Sequence, residues 1–190
     1  TSKDKIFSKL KEKYGNVTSV SLEFSMKEGG IKGTLNARKG NKYRMDLGTR
    51  LIICNSKTIW NYSPEDNKTV ISNFESNSQQ ISLEDIFFSF IYIFEPIEIK
   101  AVVKSRGRNS YMLKLKPKSE SKHFRMIKEV NIWVDRRNYS LQSFQVIEEG
   151  QTLSWRISKL KIKEKFNDDL FEFQVPKGCT VVDLRYTNIH

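Results

Sequence analysis

This 190-residue sequence has few of the residues that build most catalytic and metal sites. Of its two histidines, His190 is the last residue and His123 sits in a Lys/Ser-rich stretch. Its two cysteines, Cys54 and Cys179, lie far apart, and no Cys/His pair has metal-ligand spacing. An oxidising compartment permits a disulfide between them; two small buried thiols is the plainer reading. The few glycines form no loop that follows a strand and opens a helix, so no phosphate cradle is present. Asp168-Asp169 and Glu148-Glu149 are paired carboxylates in turns, where solvation explains them. These absences argue against an enzyme and against a cofactor. No apolar run reaches the roughly 18 residues that span a bilayer as a helix. There is no internal repeat and no linker, and the length suits one domain over 1–190. Thr1 opens no signal-peptide pattern, and a processed chain reads the same way.

What is present is positive charge and alternation. Lys and Arg exceed Asp and Glu by 33 to 22, a net charge of +11. Such an excess favours anionic partners, but the lysines are spread over every segment, as on the wet faces of strands. From Ile31 to Leu47 the odd positions read Ile, Gly, Leu, Ala, Lys, Asn, Tyr, Met, Leu, and the even positions are polar or glycine. Period-two alternation makes one face apolar and the other wet. Lys39-Gly40-Asn41 interrupts it as a hairpin turn. Leu51–Cys54 and Ile59–Tyr62 continue the sheet, ending at Ser63-Pro64.

The rest of the chain follows the same pattern. Ile6, Phe7, Leu10 and Tyr14 at helical spacing predict an amphipathic helix over 3–14, closed by Gly15-Asn16. Val20, Leu22, Phe24 and Met26 alternate as a strand. Ser82 stands three residues before Asp85 in a capping-box spacing, with Ile81 and Ile86 placed as a hydrophobic staple. Ile86 to Phe94 then reads IFFSFIYIF, a helix over about 83–95 that is greasy on all sides, stopped by Pro96. Strands follow from Ile97, with turns at 105–109 and 136–138, a polar loop at 117–122, and Phe171, Phe173 and Val175 as the closing strand. About eleven strands with short turns predict a mainly β (α+β) fold. One curled antiparallel sheet forms a half-open barrel with helices on its concave face. Such an interior either packs solid or leaves a cavity for an apolar ligand. A basic, aromatic-bearing sheet that binds nucleic acid is a remoter alternative, supported only by Trp133 at a polar-face position.

The segment Leu51 to Pro64, LIICNSKTIWNYSP, together with the hairpin before it, resembles the LolA family of periplasmic lipoprotein carriers. So do 130–135 with Leu141 to Phe144, and Phe171 to Gly178. The resemblance implies a helical lid on an open barrel, with a lipoprotein's acyl chains beneath it and no enzyme activity. Its cavity residues would be Leu22, Phe24, Leu35, Tyr43, Met45, Trp60, Ile86, Phe87, Phe90, Ile91 and Phe94. It also implies a monomer in the periplasm, its signal peptide removed. Partners would be acylated lipoproteins, an inner-membrane releasing transporter and an outer-membrane acceptor, with no nucleic acid. The acceptor itself, or another lipid binder of this fold, is the alternative. The family's latch arginine position reads Lys39-Gly40 here, with Arg38 one place earlier. Lys39 has the inward parity for the role, and Arg38 takes it if the strand shifts locally.

Overall fold

The computed structural model describes residues 2–75, 81–103, 109–118 and 127–185. His123, His190, the turn before Asn109 and most of the loop after Pro117 lie outside them. Helix α1, Lys3–Tyr14, opens with the Ser2 side chain accepting from the Lys5 N–H. It buries Ile6, Phe7, Leu10 and Tyr14, the face expected from their spacing. Gly15 ends it in the right-handed region rather than as a left-handed cap. A Cβ there would stand 2.6 Å from the Lys11 carbonyl oxygen, so the glycine is needed for space.

Among the described residues twelve strands form one sheet, one more than the alternation suggests. They are β1 Ser19–Met26, β2 Lys32–Arg38, β3 Lys42–Asp46, β4 Leu51–Asn55, β5 Thr58–Ser63 and β6 Lys68–Asn73. After the lid come β7 Phe94–Val103, β8 Asn109–Pro117, β9 Ile127–Asp135, β10 Leu141–Glu148, β11 Gln151–Ile162 and β12 Thr180–Asp183. The order across the sheet is β12-β6-β5-β4-β3-β2-β1-β11-β10-β9-β8-β7. The two ends, β12 and β7, do not meet, so the barrel is half open. Neighbours are antiparallel except β12, which runs parallel to β6.

Three expectations are corrected here. Phe171, Phe173 and Val175 are not a strand. Asp168–Phe171 is a 3-10 turn, the chain then runs extended, and the closing strand is β12. This segment lies on the outer face of β3 and β4, buries Phe171, and sets Phe173 against Tyr62 at 5.4 Å between ring centroids. The lid helix does not reach Glu95. It ends at Ile93, because Phe94 and Glu95 pair with Pro117 and Lys116 as the first residues of β7. Its first half is also not an α-helix but a π-helical turn, Asp85–Ser89, followed by α2, Phe90–Ile93.

The main core lies between the sheet's inner face and the two helices. Leu22, Phe24, Leu35 and Ala37 meet Leu10 and Tyr14 of α1 and Phe87, Phe90 and Ile91 of the lid in one buried cluster. The inner parity is set across the strands: Leu22 opposes Leu35, which opposes Met45, and Ala37 opposes Tyr43.

Candidate functional site

The site is the apolar space between the lid and the inner face. The lid starts with the expected cap. The Asp85 carboxylate accepts from the Ser82 N–H at 2.9 Å, and the Ser82 hydroxyl accepts from the Asp85 N–H at 3.1 Å. Beyond it Phe87, Phe88, Phe90 and Ile91 are all buried. Opposite them, Leu115, Val130, Ile132, Leu141 and Phe144 of β8 to β10 face Ile86 and Phe90 of the lid, Ile81 just before it and Phe94 of β7 across a small cavity. Its volume of about 10 Å³ is no larger than a water, and a lining without polar side chains gives a water nothing to bond, so the space is dry. With the lid down, the space is filled by the lid's own side chains.

An aromatic row crosses the inner face beside this cavity. Phe24 stacks on Trp155 with centroids 4.6 Å apart, Trp155 on Phe144 at 5.2 Å, and the lid's Phe87 meets Phe144 edge-on at 6.2 Å. Gly33 makes room for the row. It opposes Phe24 across the strands, and a Cβ there would stand 2.9 Å from the Phe24 ring and 2.5 Å from the Asp46 carbonyl oxygen.

The lid is fastened at both ends. At its start, the Glu84 carboxylate accepts from the Gly40 N–H at 3.1 and 3.2 Å and from the Asn41 N–H at 3.1 Å. Gly40 and Asn41 both have positive φ in the β2–β3 turn, which aims successive N–H groups at one anion. At its end, the Tyr92 hydroxyl donates to the Gly15 carbonyl at 2.9 Å.

The cavity wall holds only aliphatic and aromatic side chains. It offers no nucleophile, acid or base, and its side chains can make only apolar contacts. Among the described residues no cluster of three or more His, Cys, Asp or Glu could hold a metal ion. Burial pushes up the Tyr43 phenol and the Cys54 thiol, which face each other across β3 and β4.

The model of the LolA family, outer membrane lipoprotein carrier protein LolA, matches residues 25–174. The chain belongs to the LolA family. The outer-membrane lipoprotein carrier protein of Histophilus somni (strain 2336) is 26% identical over 157 residues, covering 80% of this chain and 71% of that one. Its namesake from Pasteurella multocida (strain Pm70) is 26% identical over 180 residues, covering 93% of this chain and 81% of that protein. A solved structure, an uncharacterized conserved protein from Thermus thermophilus, has the same fold. Its TM-score is 0.55 at 14% identity, over 96% of this chain and 99% of that one.

Within this LolA-family sheet the expected cavity residues separate. Leu22, Phe24, Leu35, Ile86, Phe87, Phe90, Ile91 and Phe94 belong to or pack on the common core, with Tyr43 and Met45 half-buried at its β3 margin. Trp60 does not join them. It opposes Ile53 and Ile71, and Ile53 opposes Arg44, so all lie on the outer face. Trp133 is also on the outer face and half-buried, opposite Ser143 and Met112. Neither expected latch side chain holds the lid. Strand parity turns Arg38 outward, where it bonds Asp168 and the Phe166 carbonyl and covers the Phe171 ring at 5.1 Å. Lys39 is exposed on the turn. The turn reaches the lid through its backbone instead.

The two cysteines are on opposite faces. Cys54 opposes Tyr43 inside, while Cys179 reaches Thr69, which shares the outer parity of Ile71, at 3.2 Å. Both are free, and the sheet stands between them.

Sequence reading missed Phe144, Trp155 and Glu84. Phe144 and Trp155 carry the same alternation as the residues named in β1 to β3, so their parity was there to be extended. Nothing in the sequence ties Glu84 to a turn some forty residues earlier.

Proposed function

We propose that this chain is a periplasmic carrier of acylated lipoproteins, which buries their acyl chains between the lid and the inner face. The observation that carries this reading is the purely apolar wall on both sides of the lid seam. Each buried CH2 contributes about 0.8 kcal/mol, so a lipid anchor that is insoluble in water gains a stable berth. A closed lid filled by its own phenylalanines makes that berth shallow. The cargo must displace Phe87 and Phe90 from the sheet, which offsets part of the gain and favours hand-over. We assign the direction from an inner-membrane releasing transporter to an outer-membrane acceptor, the chain acting as a monomer without cofactor. The family membership and the names of its relatives support lipoproteins as the cargo.

The test uses membrane vesicles that hold a labelled lipoprotein with its release machinery. After incubation and sedimentation, a soluble one-to-one complex with this protein is expected. Uptake of a fluorescent fatty acid without any release would instead make the chain an acceptor or another lipid binder.

A further inference from the structure

The two fastenings of the lid differ in kind, and the chain leaves the lid at one end only by entering the sheet. At its C-terminal end the helix passes without a break into β7. Phe94 is fully buried, pairs with Pro117, and donates its N–H back to the Phe90 carbonyl. The Lys118 N–H also donates to the Ile93 carbonyl at 2.9 Å. Lifting this end requires β7 and β8 to separate. At the N-terminal end Ile81, Leu83 and Ile86 are only partly buried. There the polar tie to the sheet is the hydrogen bonding of two backbone N–H groups, with the Gly40 N–H shared between both oxygens, to one carboxylate on a partly exposed side chain. Those bonds are charge-assisted, and a single side chain carries them all.

We propose that Glu84 latches the lid and Phe94 hinges it, so that the lid opens from its N-terminal end beside the β2–β3 turn. Given the reading that the lid covers a site for acyl chains, this sets the entrance. Cargo passes between Glu84 and the Gly40-Asn41 turn, and the first inner-face side chains it meets are Ala37 and Tyr43. Glu84 is a positioning residue. The anion sits on the moving element and the donors are backbone N–H groups of the fixed one. Substitutions of Lys39 or Arg38 therefore leave the latch intact. Tyr92 trims the hinge end and does not hold the lid shut.

Hydrogen exchange of the protein without ligand reads the latch directly. In Glu84→Ala, amides of 83–89 are expected to exchange about tenfold faster, the low end of the scale for one net charge-assisted hydrogen bond. Those of 90–94 should change far less, and Tyr92→Phe should leave 83–89 unchanged. Glu84→Gln keeps the shape and one acceptor and should fall between; it carries the test if Glu84→Ala lowers the stability of the whole sheet. Unchanged exchange over 83–89 in both Glu84 variants overturns the proposal, as does equal acceleration there by Tyr92→Phe. A dansylated fatty acid tests the entrance in the same variants, with faster association expected for Glu84→Ala only. If the probe binds no variant while the exchange pattern is as expected, the latch stands and the acyl-chain reading of the site fails.

Discussion

The Trp155 indole lies flat on the Phe24 ring, centroids 4.6 Å apart and planes 20° from parallel. The other side of the row is Phe144, which lines the cavity under the lid. Trp60 and Trp133 are on the outer face. The inner-face tryptophan is thus one ring away from the space an acyl chain would enter. Adding a fatty acid is expected to shift Trp155 emission to the blue. Trp155→Phe should abolish the shift, and Trp133→Phe should keep it.

Gly33 is a packing glycine. Gly33→Ala puts a methyl group 2.5 Å from the Asp46 carbonyl oxygen and 3.0 Å from Leu47. Backbone at that distance cannot yield without moving β3. Overpacking of this kind costs about 1–3 kcal/mol, which a urea titration at neutral pH will read.

Tyr14 makes stability fall at alkaline pH. Its hydroxyl accepts from the Leu141 N–H at 2.9 Å, and burial raises its pKa from 10.0 to about 12. The folded chain therefore holds this proton where the unfolded chain has lost it. The contribution is complete below pH 10.0 and is lost as pH rises toward about 12. The slope is at most about 1.4 kcal/mol per pH unit for this group. Tyr43, also raised by burial, adds loss in the same direction. Tyr14→Phe should flatten the urea midpoint above pH 10.0 while lowering it at neutral pH.

Arg38 clamps the C-terminal segment. Its guanidinium holds Asp168, whose carboxyl sits below the usual range, and covers Phe171. Lysine cannot make the forked contact or the stacked one. Arg38→Lys should lower the melting temperature and loosen 166–173 in hydrogen exchange. Exchange over 83–89 should not change, which separates the clamp from the lid.

The first hairpin and the sheet were legible because water and core impose period-two alternation on every strand. The cap of the lid was legible because Ser82 and Asp85 satisfy each other locally. Trp60 was misplaced for a physical reason. In β4 to β6 the outer face is also buried, under the segment holding Phe171, so Ile53, Trp60 and Ile71 look as apolar as an inner row. When both faces are covered, parity no longer says which one is inside. The end of the lid was overrun because Phe94 is apolar in either state, and pairing with Pro117, not propensity, makes it a strand residue. The Glu84 contact is a long-range meeting of a side chain with backbone N–H groups, which no sequence pattern records.

The most direct measurement is photocrosslinking to a lipoprotein whose acyl chains are labelled. A photoreactive phenylalanine placed at Phe90, under the lid, should attach to the labelled chains in the soluble complex, and one placed at Trp133 on the outer face should not. Equal crosslinking at both positions, or crosslinking at Trp133 alone, would contradict the placement of the chains between the lid and the inner face.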